Sequence, residues 1–173
     1  MSLRKSKTDP RIIELPPQKM AVVRGKGSPD ELFPVVMPAL YGSVYTLKFD
    51  LKKKGLPTFK VTGLRGRYPD ADTTPKEQWT ITLGLPVPDD TTTLTQKVAE
   101  VEVALETWPY GTMAQILHIG AYDQETPTIE RLQRFIEESG YEMAGDHEEE
   151  YLTSPDAKVV KTLIRYLVRK KTS

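Results

Sequence analysis

Residues 145–156, GDHEEEYLTSPD, set three consecutive glutamates in front of a tyrosine. A carboxylate can serve as a counter-ion or a general base, and an aromatic ring beside it offers a flat apolar wall that suits planar or cationic organic molecules. A block of like charge is more often a solvated face. Read as a strand, the run alternates: His147, Glu149, Tyr151 and Thr153 fall on one face, and Glu148, Glu150, Leu152 and Ser154 on the other. Only Glu149 shares a face with the tyrosine. It is therefore the candidate for chemistry, while Glu148 and Glu150 are expected to be solvated.

The remaining chemistry-bearing residues are few. Tyr41 and Tyr45 fall on a helical stretch, Trp79 on a strand, Trp108 and Tyr110 just before a second strand and Tyr122 just after it. Trp and Tyr serve a core and a dry pocket equally well, so each reads as a core or turn residue as readily as a ligand wall. His118 lies on an apolar strand and reads as a satisfied structural histidine. The chain has no cysteine and two histidines, which excludes disulfides, thiolate nucleophiles and Cys-ligated metal centres; no metal ligands are assigned. It holds no Ser-His-Asp order, no phosphate-cradling glycine loop and no His-x-x-x-His pair.

Lys+Arg and Asp+Glu are equal at 24 each, so the basic footprint of a nucleic-acid binder is missing. The opening MSLRKSKTDPRIIELPP lacks the apolar core of a signal peptide, and no run of about 18 apolar residues occurs. A cytoplasmic protein without membrane or direct nucleic-acid contact is expected.

The elements that must position these residues form a repeat. KMAVVRGKGSP (19–29) aligns with TMAQILHIGAY (112–122) at a constant offset of 93 residues: Met20 meets Met113, Ala21 meets Ala114, Val23 meets Ile116 and Gly27 meets Gly120. Each segment is a short apolar run closed by glycine, as in a buried strand entering a turn. A helix follows each. In the first, Leu40, Val44, Leu47 and Leu51 make one stripe and Gly55 ends it. In the second, Thr126 is the expected N-cap, Pro127 the first position, Ile129, Leu132 and Ile136 the stripe, and Gly140 the stop. Two strand-like runs follow each helix, TFKVTGLRGRY and QWTITLGLPV in the first half, HEEEYLTS and VVKTLIRYLVRK in the second, and AEVEVALETW bridges the halves. At 173 residues the chain predicts one α+β domain: an N-terminal extension at 1–18, then 19–173 as two βαββ repeats, about 19–88 and 112–170. A pseudo-twofold pairing with a ligand cleft between the copies is the expected arrangement.

LPPQKMAVVRGKGSP, MPALYGSVYTLKFDLKKKG, the segment TMAQILHIGAYDQETPTIERLQRFIEESGYEMAGDHEEEYLTSP and the closing TLIRYLVRK together resemble the GyrI-like small-molecule-binding domain, which is also the effector domain of AraC-type and MerR-type activators. The resemblance spans about residues 15–170. It rests most on an A-x-x-x-H-x-G-x-Y signature (Ala114, His118, Gly120, Tyr122) and an E-x-Y-L motif (Glu149, Tyr151, Leu152). It implies paired βαββ repeats with a pocket whose basal glutamate is Glu149, walled by Tyr151 and Tyr122, then Trp79, Tyr41 and Tyr110. With about 18 residues before the first repeat strand, the chain resembles the stand-alone members, without a helix-turn-helix.

Such a domain is expected to bind hydrophobic planar or cationic molecules, as in drug or toxin sequestration, without a cofactor. An alternative is hydrolysis of cyclopropane-bearing alkylating compounds, with Glu149 as the catalytic residue. A further alternative is a protein-interaction module such as a gyrase inhibitor. The resemblance also extends distantly to the SOUL haem-binding fold, but with only His118 and His147 as candidate ligands no haem is assigned.

Overall fold

The structure is a computed structural model describing residues 7–172. Residues 1–6, the start of the predicted extension, and residue 173 lie outside the described residues. In chain order the elements are β1 (Arg11–Leu15), β2 (Gln18–Lys26), α1 (Pro29–Lys53), β3 (Leu64–Arg67), β4 (Thr80–Pro86) and β5 (Ala104–Trp108). They continue with β6 (Gly111–Ile119), α2 (Thr126–Glu138), β7 (Tyr141–Met143), β8 (Glu148–Tyr151) and β9 (Lys161–Lys170). The fold is α+β, with antiparallel strands and two helices, and the chain divides into two compact units: Pro17–Pro109, and Met1–Pro16 with Tyr110–Ser173.

In the Pro17–Pro109 unit, β4 lies between β3 and β2, and β2 also pairs β5. Ser28 caps α1, its hydroxyl accepting the Glu31 N–H; Pro29 opens the helix and Gly55, at φ 69°, follows its end. Among the described residues α1 is the one helix long and apolar enough to cross a bilayer by length and composition. Its apolar stripe packs on β2 and β4, burying Val36, Ala39, Leu40 and Val44.

In the second unit, β9 lies between β6 and β8, β1 pairs β6, and β7 pairs β9. Directly opposed residues of an antiparallel pair point to one face. Ala114 opposes Tyr166 and Ile116 opposes Ile164, and this face, covered by Leu132 and Ile136 of α2, is the core.

The sequence repeat is a structural one. The offset of 93 carries β1 onto β5 and β2 onto β6 end to end. The ladders repeat too: Met20 opposes Pro86 and Glu106, and Met113 opposes Leu167 and Ile13. Gly27 and Gly120 have φ of 138° and 134°, which L side chains rarely adopt, and each donates its N–H to a strand-entry carbonyl, of Trp79 and of Val160, both at 2.9 Å.

Several elements differ from the sequence expectation. The segment read as an extension carries β1, which precedes β2 in the chain yet pairs β6, while β5 precedes β6 yet pairs β2. The run from 58 joins a ladder only at Leu64, and the bridging run only at Ala104. Helix α2 begins at Thr126, so the cap position falls on Glu125, whose side chain makes no cap hydrogen bond. Leu132→Ala empties a fully buried position under α2; urea unfolding is expected to show a loss of about 2–5 kcal/mol.

Candidate functional site

Strand β8 sorts the three glutamates by its pairing with β9. Glu149 opposes Ile164 and Tyr151 opposes Thr162, so both lie on the α2-covered face of the second unit. His147 joins them: one ring nitrogen, Nε2, is 2.8 Å from Glu149 Oε2, and the other, Nδ1, is 2.8 Å from the Tyr166 hydroxyl. A carboxylate only accepts, so in the neutral ring Nε2 carries the proton and the tyrosine donates to Nδ1. His147 and Glu149 side chains are only 13% and 12% exposed.

The second half of the site comes from the turn between β6 and α2. His118, at the end of β6 and on the same face, has Nε2 2.9 Å from the Ala121 carbonyl and Nδ1 2.7 Å from Thr128 Oγ1. The carbonyl requires Nε2–H, and Thr128 then donates to Nδ1. Both ends of segment 121–128 are thereby pinned to β6. That segment carries Tyr122, in a short 3-10 turn, and Glu125. The spacing of the A-x-x-x-H-x-G-x-Y signature is thus explained locally: Ala114 is core, His118 pins the turn, Gly120 makes it, and Tyr122 reaches the site.

Tyr122 meets Tyr151 edge-on at 5.7 Å. Glu125 is 6% exposed, and its Oε1 is buried without a hydrogen-bond partner. One ligand-type atom each from Glu125, His147 and Glu149 lies within 4.8 Å of the others. Desolvation, then repulsion from the Glu149 carboxylate and a hydrogen bond with it, push the Glu125 carboxyl up to about 9. Glu125 therefore holds a proton more readily than an ordinary carboxyl, with Glu149 as its partner. Burial, Glu149 and Glu125 likewise raise the Tyr122 phenol above its ordinary value.

Of the residues singled out in the sequence, the structure brings together Glu149, Tyr151 and Tyr122. Tyr110, 5% exposed, donates its hydroxyl to Glu148 at 3.0 Å. Trp79 and Tyr41 belong to the other unit, where Trp79 packs edge-on to Tyr68 at 5.8 Å and donates Nε1–H to the Thr74 carbonyl, and Tyr41 stacks on Tyr45 at 6.3 Å. The solvated reading of Glu148 and of Glu150 is wrong: both are paired and largely withdrawn from water. Glu148 is 1% exposed and opposes Arg165 on β9, whose guanidinium lies 3.3 Å from Glu148 and 2.9 Å from Glu150. The second face of β8 is occupied by an ion-pair cluster.

Glu125, His147 and Tyr166 were missed as site residues. His147 was legible, since the period of two places it on the face of Glu149. Glu125 was masked because an acid before a helix start is ordinarily explained by the helix dipole. Two surface grooves, about 650 and 290 Å³, are lined by none of Tyr122, Glu125, His147, Glu149 and Tyr151.

A carboxyl whose folded value is raised binds a proton that the unfolded chain has released, so stability falls as pH rises from the ordinary 4.5 towards about 9. One proton corresponds to at most about 1.4 kcal/mol per pH unit. Glu125→Gln is expected to flatten the stability–pH curve across that window, as read by urea unfolding at stepped pH.

Comparison with known proteins bears on the family and the fold. The model of the GyrI-like small molecule binding domain matches residues 8–167. Among solved structures, an uncharacterized conserved protein from Listeria innocua is 26% identical with a TM-score of 0.83, over 94% of this chain and 93% of that one. A hydrolase from Listeria innocua is 24% identical with a TM-score of 0.80, over 96% and 94%. The EcmrR C-terminal domain is 15% identical with a TM-score of 0.68, over 94% and 98%; these last two are likenesses of fold. No curated protein matches the sequence. With its repeat, its signature residues and this match over nearly its whole length, the chain belongs to the family of GyrI-like small-molecule-binding domains.

Proposed function

We propose that the protein binds planar or cationic hydrophobic molecules at Glu149 and Glu125, with Tyr122 and Tyr151 as walls, and so sequesters drugs or toxins in the cytoplasm. The observation that carries this reading is a carboxyl pair, the buried Glu125 and the half-buried Glu149, beside two edge-packed tyrosines. A cationic centre takes the place of the proton held between the two acids, and the rings supply dispersion and cation–π attraction. Trp79 and Tyr41, in the Pro17–Pro109 unit, and Tyr110, bonded to Glu148 on the opposite face of β8, are not assigned as walls. Calorimetric titration with rhodamine 6G or ethidium is expected to give saturable binding that Glu149→Gln weakens at least about tenfold, the scale of one lost charge-assisted contact. Equal affinity in parent and variant would contradict the role of Glu149.

A second reading is favoured by one feature, a buried carboxyl of raised proton affinity set beside a second carboxyl. Such a pair provides an acid and a base for adding water to an activated cyclopropane. Water's oxygen bonds to the ring carbon as Glu149 takes its proton. The ring C–C bond breaks, its electrons move into the conjugated carbonyl, and Glu125 protonates that oxygen. The Listeria hydrolase shares the fold, and the support for this step is the chemistry of the pair. Incubation with a cyclopropanoid is expected to yield a product one water heavier, about 10²–10⁴-fold more slowly with Glu149→Gln. Binding without any ring-opened product would remove the hydrolytic reading.

A further inference from the structure

We propose that Glu125, His147 and Glu149 form a three-ligand site for a divalent transition ion, with zinc the best fit. The site shares residues with the small-molecule reading but does not depend on any organic ligand. Each residue presents one donor atom, all within 4.8 Å of one another, and His147 Nε2 to Glu149 Oε2 is already 2.8 Å. Zinc binds imidazole nitrogen and carboxylate oxygen at about 2.0–2.2 Å, so donors around one ion lie roughly 3–3.5 Å apart. Binding would draw the three donors together from within 4.8 Å.

The Glu125 carboxyl adds a second observation. Glu125, 6% exposed, keeps one oxygen buried with no hydrogen-bond donor on it. A buried acceptor without a partner is costly, and a metal ion would satisfy it. The surroundings also fit. Metal-bound histidines hold their second nitrogen to an outer partner, and Tyr166 stands 2.8 Å from Nδ1. When Nε2 gives its lone pair to the ion, the ring proton shifts to Nδ1 and is donated to the tyrosine oxygen. One imidazole with two carboxylates suits zinc better than calcium or magnesium, which favour all-oxygen shells. Three protein ligands leave a position for water or a ligand atom.

Chelator-treated full-length protein titrated with zinc by calorimetry, and with cobalt(II) by visible absorption, tests this. Expected are one ion per chain, cobalt bands of a four- or five-coordinate centre, and zinc affinity at least tenfold weaker in Glu125→Gln and in His147→Gln. Tyr166→Phe keeps the stoichiometry and weakens affinity about 10–100-fold. No binding, or binding unchanged in both Gln variants, overturns the site. If those variants fail to fold, nitrogen NMR of the parent decides: zinc is expected to shift the His147 ring signals to the Nδ1–H form, and unmoved signals overturn the proposal. Organic titrations run on the metal-free protein report on the small-molecule reading separately.

Discussion

The site depends on two carboxyl groups, Glu125 and Glu149, held together out of water. Desolvation of the buried Glu125 carboxyl, and then repulsion from Glu149 beside it, raise its affinity for a proton. The same unit solves a second instance of the problem differently. On the opposite face of β8, Glu148 and Glu150 share Arg165, and Tyr110 adds a donor to Glu148. One acidic strand thus carries a face paired to a fixed guanidinium and a face beside a second carboxyl of raised proton affinity.

The repeat shows how such a site arises on a duplicated scaffold. The registers align Arg65, Gly66 and Arg67 on β3 with Glu148, Glu149 and Glu150 on β8, and Gly84 on β4 with Arg165 on β9. Where the second unit has His118, the first has Gly25, at which a Cβ would lie 2.3 Å from Leu32. The first copy uses that position to let α1 approach the sheet. In the second copy His118 fastens the turn that delivers Tyr122 and Glu125. The backbone plan is common to both, and the chemistry is confined to a few substitutions in one.

Much of this was legible in the sequence because it is periodic. The offset of 93, the stripes of α1 and α2 and the alternation of β8 all follow from local geometry, and alternation alone separated Glu149 from its neighbours. What was not legible depends on partners distant in sequence. RIIEL carries no mark that it pairs β6 instead of its neighbour β2. Period two gives Glu148 a face but cannot show that Arg165 waits there, and Glu125 belongs to the site only because His118 holds its turn. The fold was readable to the level of the repeat, and the site to one carboxyl of two.

The shared proton is tested most directly by carbon NMR of the side-chain carboxyls, with Glu125 assigned by comparison with Glu125→Gln. The expected result is a Glu125 signal that stays in the protonated position through neutral pH and moves only near pH 9. A Glu125 signal that titrates in the ordinary carboxylate range, near 4.5, would contradict a site built on two acids and one proton.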